Sequence, residues 1–81
     1  MKKALIKSID SVENGECRVS LCGMRADLSQ GIVIRICDIK SWYGIDNNGY
    51  SVSYSIKAGV LIYFDTICTA TRRMVNPRFT E

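Results

Sequence analysis

Residues 39–64 read IKSWYGIDNNGYSVSYSIKAGVLIYF, and the way this run pairs with itself decides the fold. Its middle carries the clearest periodicity in the chain. Tyr50, Val52, Tyr54 and Ile56 alternate with Ser51, Ser53, Ser55 and Lys57, the two-residue repeat of a half-buried strand. Asn48-Gly49 just before it suits the positive φ angles of a two-residue hairpin turn. That turn sets Ile45 opposite Val52 and Tyr43 opposite Tyr54, apolar facing apolar. A four-residue loop keeps the same faces together, whereas an odd-numbered loop without a bulge turns one strand over. After Lys57-Ala58-Gly59, the run Val60-Leu61-Ile62-Tyr63-Phe64 has no polar alternation. It reads as a central strand covered on both sides, or as one contributing to an interface. The expectation is a three-stranded antiparallel meander over residues 39–46, 50–57 and 60–68, with Ile45 and Val52 on one buried face.

Working outward, residues 3–12 and 16–22 read as a first hairpin around Glu13-Asn14-Gly15; the rival reading makes Leu5, Ile9 and Val12 one helical stripe, but ten residues lacking an N-cap make a weak helix and strand is favoured. A two-residue turn there sets Val12 against Cys17 but Asp10 against Val19. Shifting by one pairs Ile9 with Val19 and Asp10 with Arg18, so a three-residue loop with Gly15 in the left-handed region of a bulge is preferred. Residues 23–31 are bounded by glycines and read as a loop with room for a single helical turn. Ile32, Ile34 and Ile36 then alternate with Val33, Arg35 and Cys37 as a further strand. Its phase slips at Asp38-Ile39, where a bulge or sharp bend is expected. In residues 65–75, Asp65 is placed to cap a helix ending in Arg72-Arg73. Against this, Thr66, Ile67, Thr69, Thr71 and Val75 are β-branched and favour strand. Residues 76–81 read as an extended tail. These elements make one all-β domain over residues 1–81. The architecture expected is a small five- to six-stranded antiparallel barrel or roll, SH3-like or OB-like, with at most one short helical turn.

Composition bounds the function. Of the 81 residues 47% are apolar, enough for a core without metal or disulfide. The net charge of +3, from 11 basic and 8 acidic residues, is mild for a nucleic-acid binder and fits an anionic partner without demanding one. Lys2 and Lys3 open the chain as a signal peptide does, but Lys7, Ser8 and Asp10 interrupt any apolar run. No stretch is long enough to span a bilayer. A cytoplasmic location is therefore expected, with no membrane partner and with Cys17, Cys22, Cys37 and Cys68 as thiols. The four lack close metal-ligand pairing and read as small buried hydrophobes. With no histidine, neither a Ser-His nor a Cys-His nucleophile pair is available. The six glycines lie singly at turns, so no phosphate loop is present. No catalytic residue, cofactor site or metal site is assigned, and a binding role is expected.

Trp42-Tyr43, then Gly49-Tyr50-Ser51-Val52, then Gly59-Val60-Leu61-Ile62-Tyr63 resembles part of the short, plasmid-type dihydrofolate reductases. The resemblance implies an SH3-like barrel and, were the activity shared, a homotetramer with one common active-site pore. Leu61 and Phe64 stand where that family carries a glutamine and a proline.

Two stretches are candidates for partner binding. With the apolar set of the central hairpin inward, Lys40, Trp42 and Gly44 share the outer face with Ser53, Ser55 and Lys57. The two-residue turn then places Lys40 across from Lys57, a like-charge pair that costs a little without an anion nearby. Tryptophan between lysines suits a ligand with an anionic part and a flat or apolar part. The alternative is that Trp42 is covered by the N-terminal hairpin or the C-terminal segment. The other stretch is Arg72-Arg73-Met74-Val75-Asn76-Pro77-Arg78-Phe79, the densest basic segment. Lys40, Trp42, Lys57, Arg72, Arg73 and Arg78 are thus the candidate partner-binding residues. A protein partner is favoured, with the chain as regulator or inhibitor. Single-stranded nucleic acid is the alternative, and an exposed strand edge leaves room for a homo-oligomer.

Overall fold

The structure, a computed structural model, describes residues 2–25, 29–39, 42–45 and 47–80. It is all-β, built on a four-stranded sheet curled into a half-barrel. β1 (Lys2–Glu13) and β2 (Glu16–Cys22) form its long central hairpin. β3 (Ile32–Arg35) lies beside β2, and β6 (Leu61–Phe64) lies on the other side of β1. All these pairings are antiparallel. Alternation supplies the core: Ala4, Ile6, Cys17, Val19, Leu21, Ile32, Ile34, Ile62 and Phe64 are all buried in one cluster. On the outer surface Leu5, paired with both Cys22 and Leu61, is exposed.

The first hairpin differs from expectation at its turn. Asn14 (φ 51°) and Gly15 (φ 75°) both take positive φ in a two-residue turn that pairs Glu13 with Glu16 and Val12 with Cys17. Ile9 nevertheless meets Val19, because the register slips within β1, between Ile9 and Ser11. The extra residue assigned to the loop is a bulge in the strand. Asp10 sits at that bulge and accepts hydrogen bonds from Ser8 Oγ (3.2 Å) and Ser20 Oγ (2.9 Å), where a pairing with Arg18 had been expected. A second slip lies between Ile6 and Ser8. Two bulges in one strand sharpen its twist and help curl the sheet.

The phase change at Asp38-Ile39 is realised as a 3₁₀ turn over Ile36–Asp38, closed by Ile39 N–H donating to Ile36 O at 3.2 Å. The loop expected to hold a helical turn includes residues 26–28, outside the described residues.

The meander over residues 39–68 does not form. β4 (Tyr43–Ile45) and β5 (Ser51–Ser53) make a separate two-stranded ribbon, and β6 leaves β5 to pair with β1. Residues 46–50 lie between the Ile45–Ser51 pair, an odd number, with Gly49 at φ 84°. Tyr43 therefore faces Ser53 and Gly44 faces Val52, one residue from the expected register. Ile45 and Val52 fall on opposite sides of the ribbon, since a slip of one inverts every side chain. β6 is an outer strand of its sheet with alternating exposure, not a strand covered on both sides. Its free side receives one bridge, Tyr63 to Arg78.

Residues 65–75 resolve as strand: β7 (Thr66–Ile67) pairs with β8 (Met74–Val75) around a turn in which Arg72 has φ 59°. The segment after Asn76, expected as an extended tail, is packed against the domain: Pro77 and Phe79 are buried, and Arg78 bridges Tyr63. Of the cysteines only Cys17 behaves as a small buried hydrophobe; Cys22, Cys37 and Cys68 are exposed free thiols. Hydrophobic character alone does not bury a residue whose place in the fold faces outward, as Cys22 does at the end of β2, Cys37 in the 3₁₀ turn and Cys68 just after β7.

Candidate functional site

The ribbon β4–β5 carries two highly exposed large apolar side chains, Tyr43 and Ile45. Its two faces have different fates. Trp42 precedes β4, and its carbonyl accepts from Tyr54 N–H at 2.7 Å, extending the ladder by one bond. The Tyr54 ring then lies back across Gly44, where a β-carbon would sit 2.8 Å from its hydroxyl oxygen. Only glycine leaves space for the ring. Phe79 completes this inner face: its centroid is 5.4 Å from both Trp42 and Tyr54, tilted by 50° to the first and near-parallel, at 10°, to the second. Trp42 and Tyr54 are each half-buried against the core. Tyr43 and Ile45 face the other way and are both 74% exposed, opposite the small side chains of Ser53 and Ser51. Tyr50, where the chain re-enters the ribbon, is 71% exposed.

Among the expected binding residues, Trp42 is covered by the C-terminal segment. Lys40 lies outside the described residues, and with it the expected pairing with Lys57, which is itself exposed beyond β5. The arginines are drawn to separate neighbours. Arg72 donates from Nη1 to Gln30 O at 3.0 Å, and its carbonyl accepts from Val33 N–H at 2.8 Å. Arg73 bridges Val33 and helps line an open groove of about 250 Å³ with Cys37, Asp38, Met74, Val75 and Asn76. Arg78 pairs with Asp65 at 3.1 Å and donates from Nη1 to Asn76 O at 2.8 Å.

Asp65 anchors the C-terminal segment. It accepts from Asn76 Nδ2 at 2.7 Å as well as from Arg78, while its N–H donates to Val75 O at 3.0 Å. The Asn76 hydrogen bond first, and then Arg78, hold its carboxyl below the ordinary value. Cys68 is a second perturbed group. A hydrogen bond from the Thr71 side chain, backbone N–H groups of Thr71 and Ala70, and the Arg73 charge lower its pKa. Burial instead raises that of Cys17. No group of three or more His, Cys, Asp or Glu placed to hold a metal occurs among the described residues. No helix of the described residues is long and apolar enough to cross a membrane.

Sequence reasoning assigned Tyr43 and Ile45 to the interior and passed over Phe79. The alternation of the ribbon fits either face, so the pattern contained no signal to choose between them. Compared with known proteins, the chain matches no family model, no curated protein and no solved structure.

Proposed function

We propose that the chain is a small, non-catalytic cytoplasmic module that docks on a protein, as a regulator or inhibitor, through the outer face of the β4–β5 ribbon. The observation that carries this reading is the pair Tyr43 and Ile45, each 74% exposed on one side of a two-stranded ribbon. Large apolar side chains displayed together over serines are what interface anchors look like before a partner covers them. The net charge of +3 and exposed Lys57 at the foot of β5 favour a partner with an acidic rim around an apolar centre. Single-stranded nucleic acid is the second reading, supported by the exposed rings of Tyr43 and Tyr50. It ranks lower because the other stacking candidates, Trp42 and Tyr54, are engaged by Phe79.

The test is capture from the source organism on immobilised wild type and on the double variant Tyr43→Ser/Ile45→Ser, before and after nuclease treatment. A protein held by the wild type after nuclease, and lost by the variant, is the expected result. Equal retention by both chains, or capture abolished by nuclease, would overturn the reading.

A further inference from the structure

The inner side of the ribbon already holds a peptide, supplied by the chain itself. Beyond Asn76 the backbone meets the free edge of β6 at one antiparallel bridge, where Tyr63 and Arg78 exchange two N–H···O bonds, both 2.8 Å. The Arg78 guanidinium reaches the Asp65 carboxylate at 3.1 Å. Phe79 then places its ring against both Trp42 and Tyr54, 5.4 Å from each centroid. Main-chain pairing on a strand edge, a charge contact at the rim and one ring in an aromatic slot are the means by which sheets read extended peptides. All four recognising residues precede the occupant in the chain, so the occupant displays what the slot selects. Arg78 and Asp65 retain 24% and 49% side-chain exposure, which leaves the charge contact open to exchange from solvent.

We propose that the Tyr63 edge, Asp65 and the Trp42–Tyr54 pair form a peptide-binding site for an extended segment carrying arginine followed directly by an aromatic residue, filled in cis by Arg78-Phe79. The partner is thus a protein that presents such a dipeptide and competes with the chain's own. This site is separate from the Tyr43–Ile45 face and does not depend on that face binding anything. A tethered occupant acts at an effective concentration on the order of millimolar, so the intact chain binds a free peptide weakly.

The test uses the full chain with Phe79→Leu and, separately, Phe79→Ala, titrated with the hexapeptide Asn-Pro-Arg-Phe-Thr-Glu. Trp42, the single tryptophan, reports occupancy by its emission. Both variants should bind the peptide roughly 100-fold more tightly than wild type, with emission returning to the wild-type position. A peptide with alanine for phenylalanine should not bind, and one with alanine for arginine should bind more weakly. If Phe79→Ala is unfolded alone, the peptide at about 1 mM should restore its circular dichroism and Trp42 emission. No emission change and no refolding with either variant would overturn the proposal, as would equal binding of the peptide lacking the aromatic ring. Either outcome leaves the capture experiment on Tyr43 and Ile45 unaffected.

Discussion

Gly44 shows how much one absent side chain decides. A β-carbon there would meet Tyr54 at 2.8 and 2.9 Å, and Tyr54 cannot yield freely because Phe79 is stacked on it. Gly44→Ala should therefore destabilise the fold by about 1–3 kcal/mol, read by denaturant unfolding. The loss should shrink when Tyr54→Leu removes the obstructing hydroxyl and ring. Asp65 leads to a pH effect. Its folded pKa lies below the ordinary 3.8, chiefly through Asn76, so its contribution is present above that value and lost as pH falls through the folded pKa. The wild-type advantage in Tm over Asp65→Asn should accordingly be constant near neutrality and be lost in acid, as pH falls past the ordinary 3.8 and through the lowered folded pKa. A constant advantage down to acid pH would show that the charge is not what holds Asn76 and Arg78. Cys68 is the third residue with a measurable consequence. Exposed and with a lowered pKa, it should be alkylated well before buried Cys17 under native conditions. Thr71→Val should slow Cys68, and mass spectrometry of peptides after a short pulse of iodoacetamide settles the order.

Elements in this chain acquire their positions from partners distant in sequence. The ribbon β4–β5 has only two strands, too few for independent stability in water. Phe79, arriving from the C-terminal segment, gives its inner face something to pack on. The turn chemistry is consistent with this dependence. Asn14-Gly15 and Asn48-Gly49 are the same dipeptide, yet the first closes a two-residue turn and the second lies within the longer, odd-numbered stretch 46–50, with Gly49 at φ 84°. What differs is the strands behind them, a long hairpin in the first case and three-residue strands in the second. Phe79→Ala should cost about 3–5 kcal/mol and red-shift Trp42 emission, as solvent reaches a ring that Phe79 now covers. A normal Tm with unchanged emission would mean that the ribbon stands without the C-terminal segment.

Across the whole molecule, the half-barrel acts as the support and the ribbon as the displayed part. Ile6, Val19, Ile32, Ile34, Ile62 and Phe64 have no exposed surface, whereas Tyr43 and Ile45 on the outer ribbon face are each 74% exposed. Removing Tyr43 and Ile45 should thus leave the free protein within about 0.5 kcal/mol of wild type, while partner binding falls. With a net charge of +3, raising salt should slow association with an acidic partner and change dissociation little. A Tm loss in the double variant comparable to that of Phe79→Ala would assign the outer face a structural role instead.

By itself the sequence determined that the chain is all-β, where β1 and β2 lie, that a further strand starts at Ile32 and that the chain bends near Asp38; over residues 65–75 it favoured strand and left helix open. These follow from two-residue alternation and β-branching, which act over a few neighbouring residues. The tertiary structure alone decided which side of the ribbon faces in, which strand β6 joins, and that the last segment is packed. Tyr43 and Ile45 alternate as regularly as Trp42 and Gly44, so local pattern is satisfied by either register. The choice belongs to the ring of Phe79 and the space above Gly44, because a one-residue slip is settled by whichever face finds a partner.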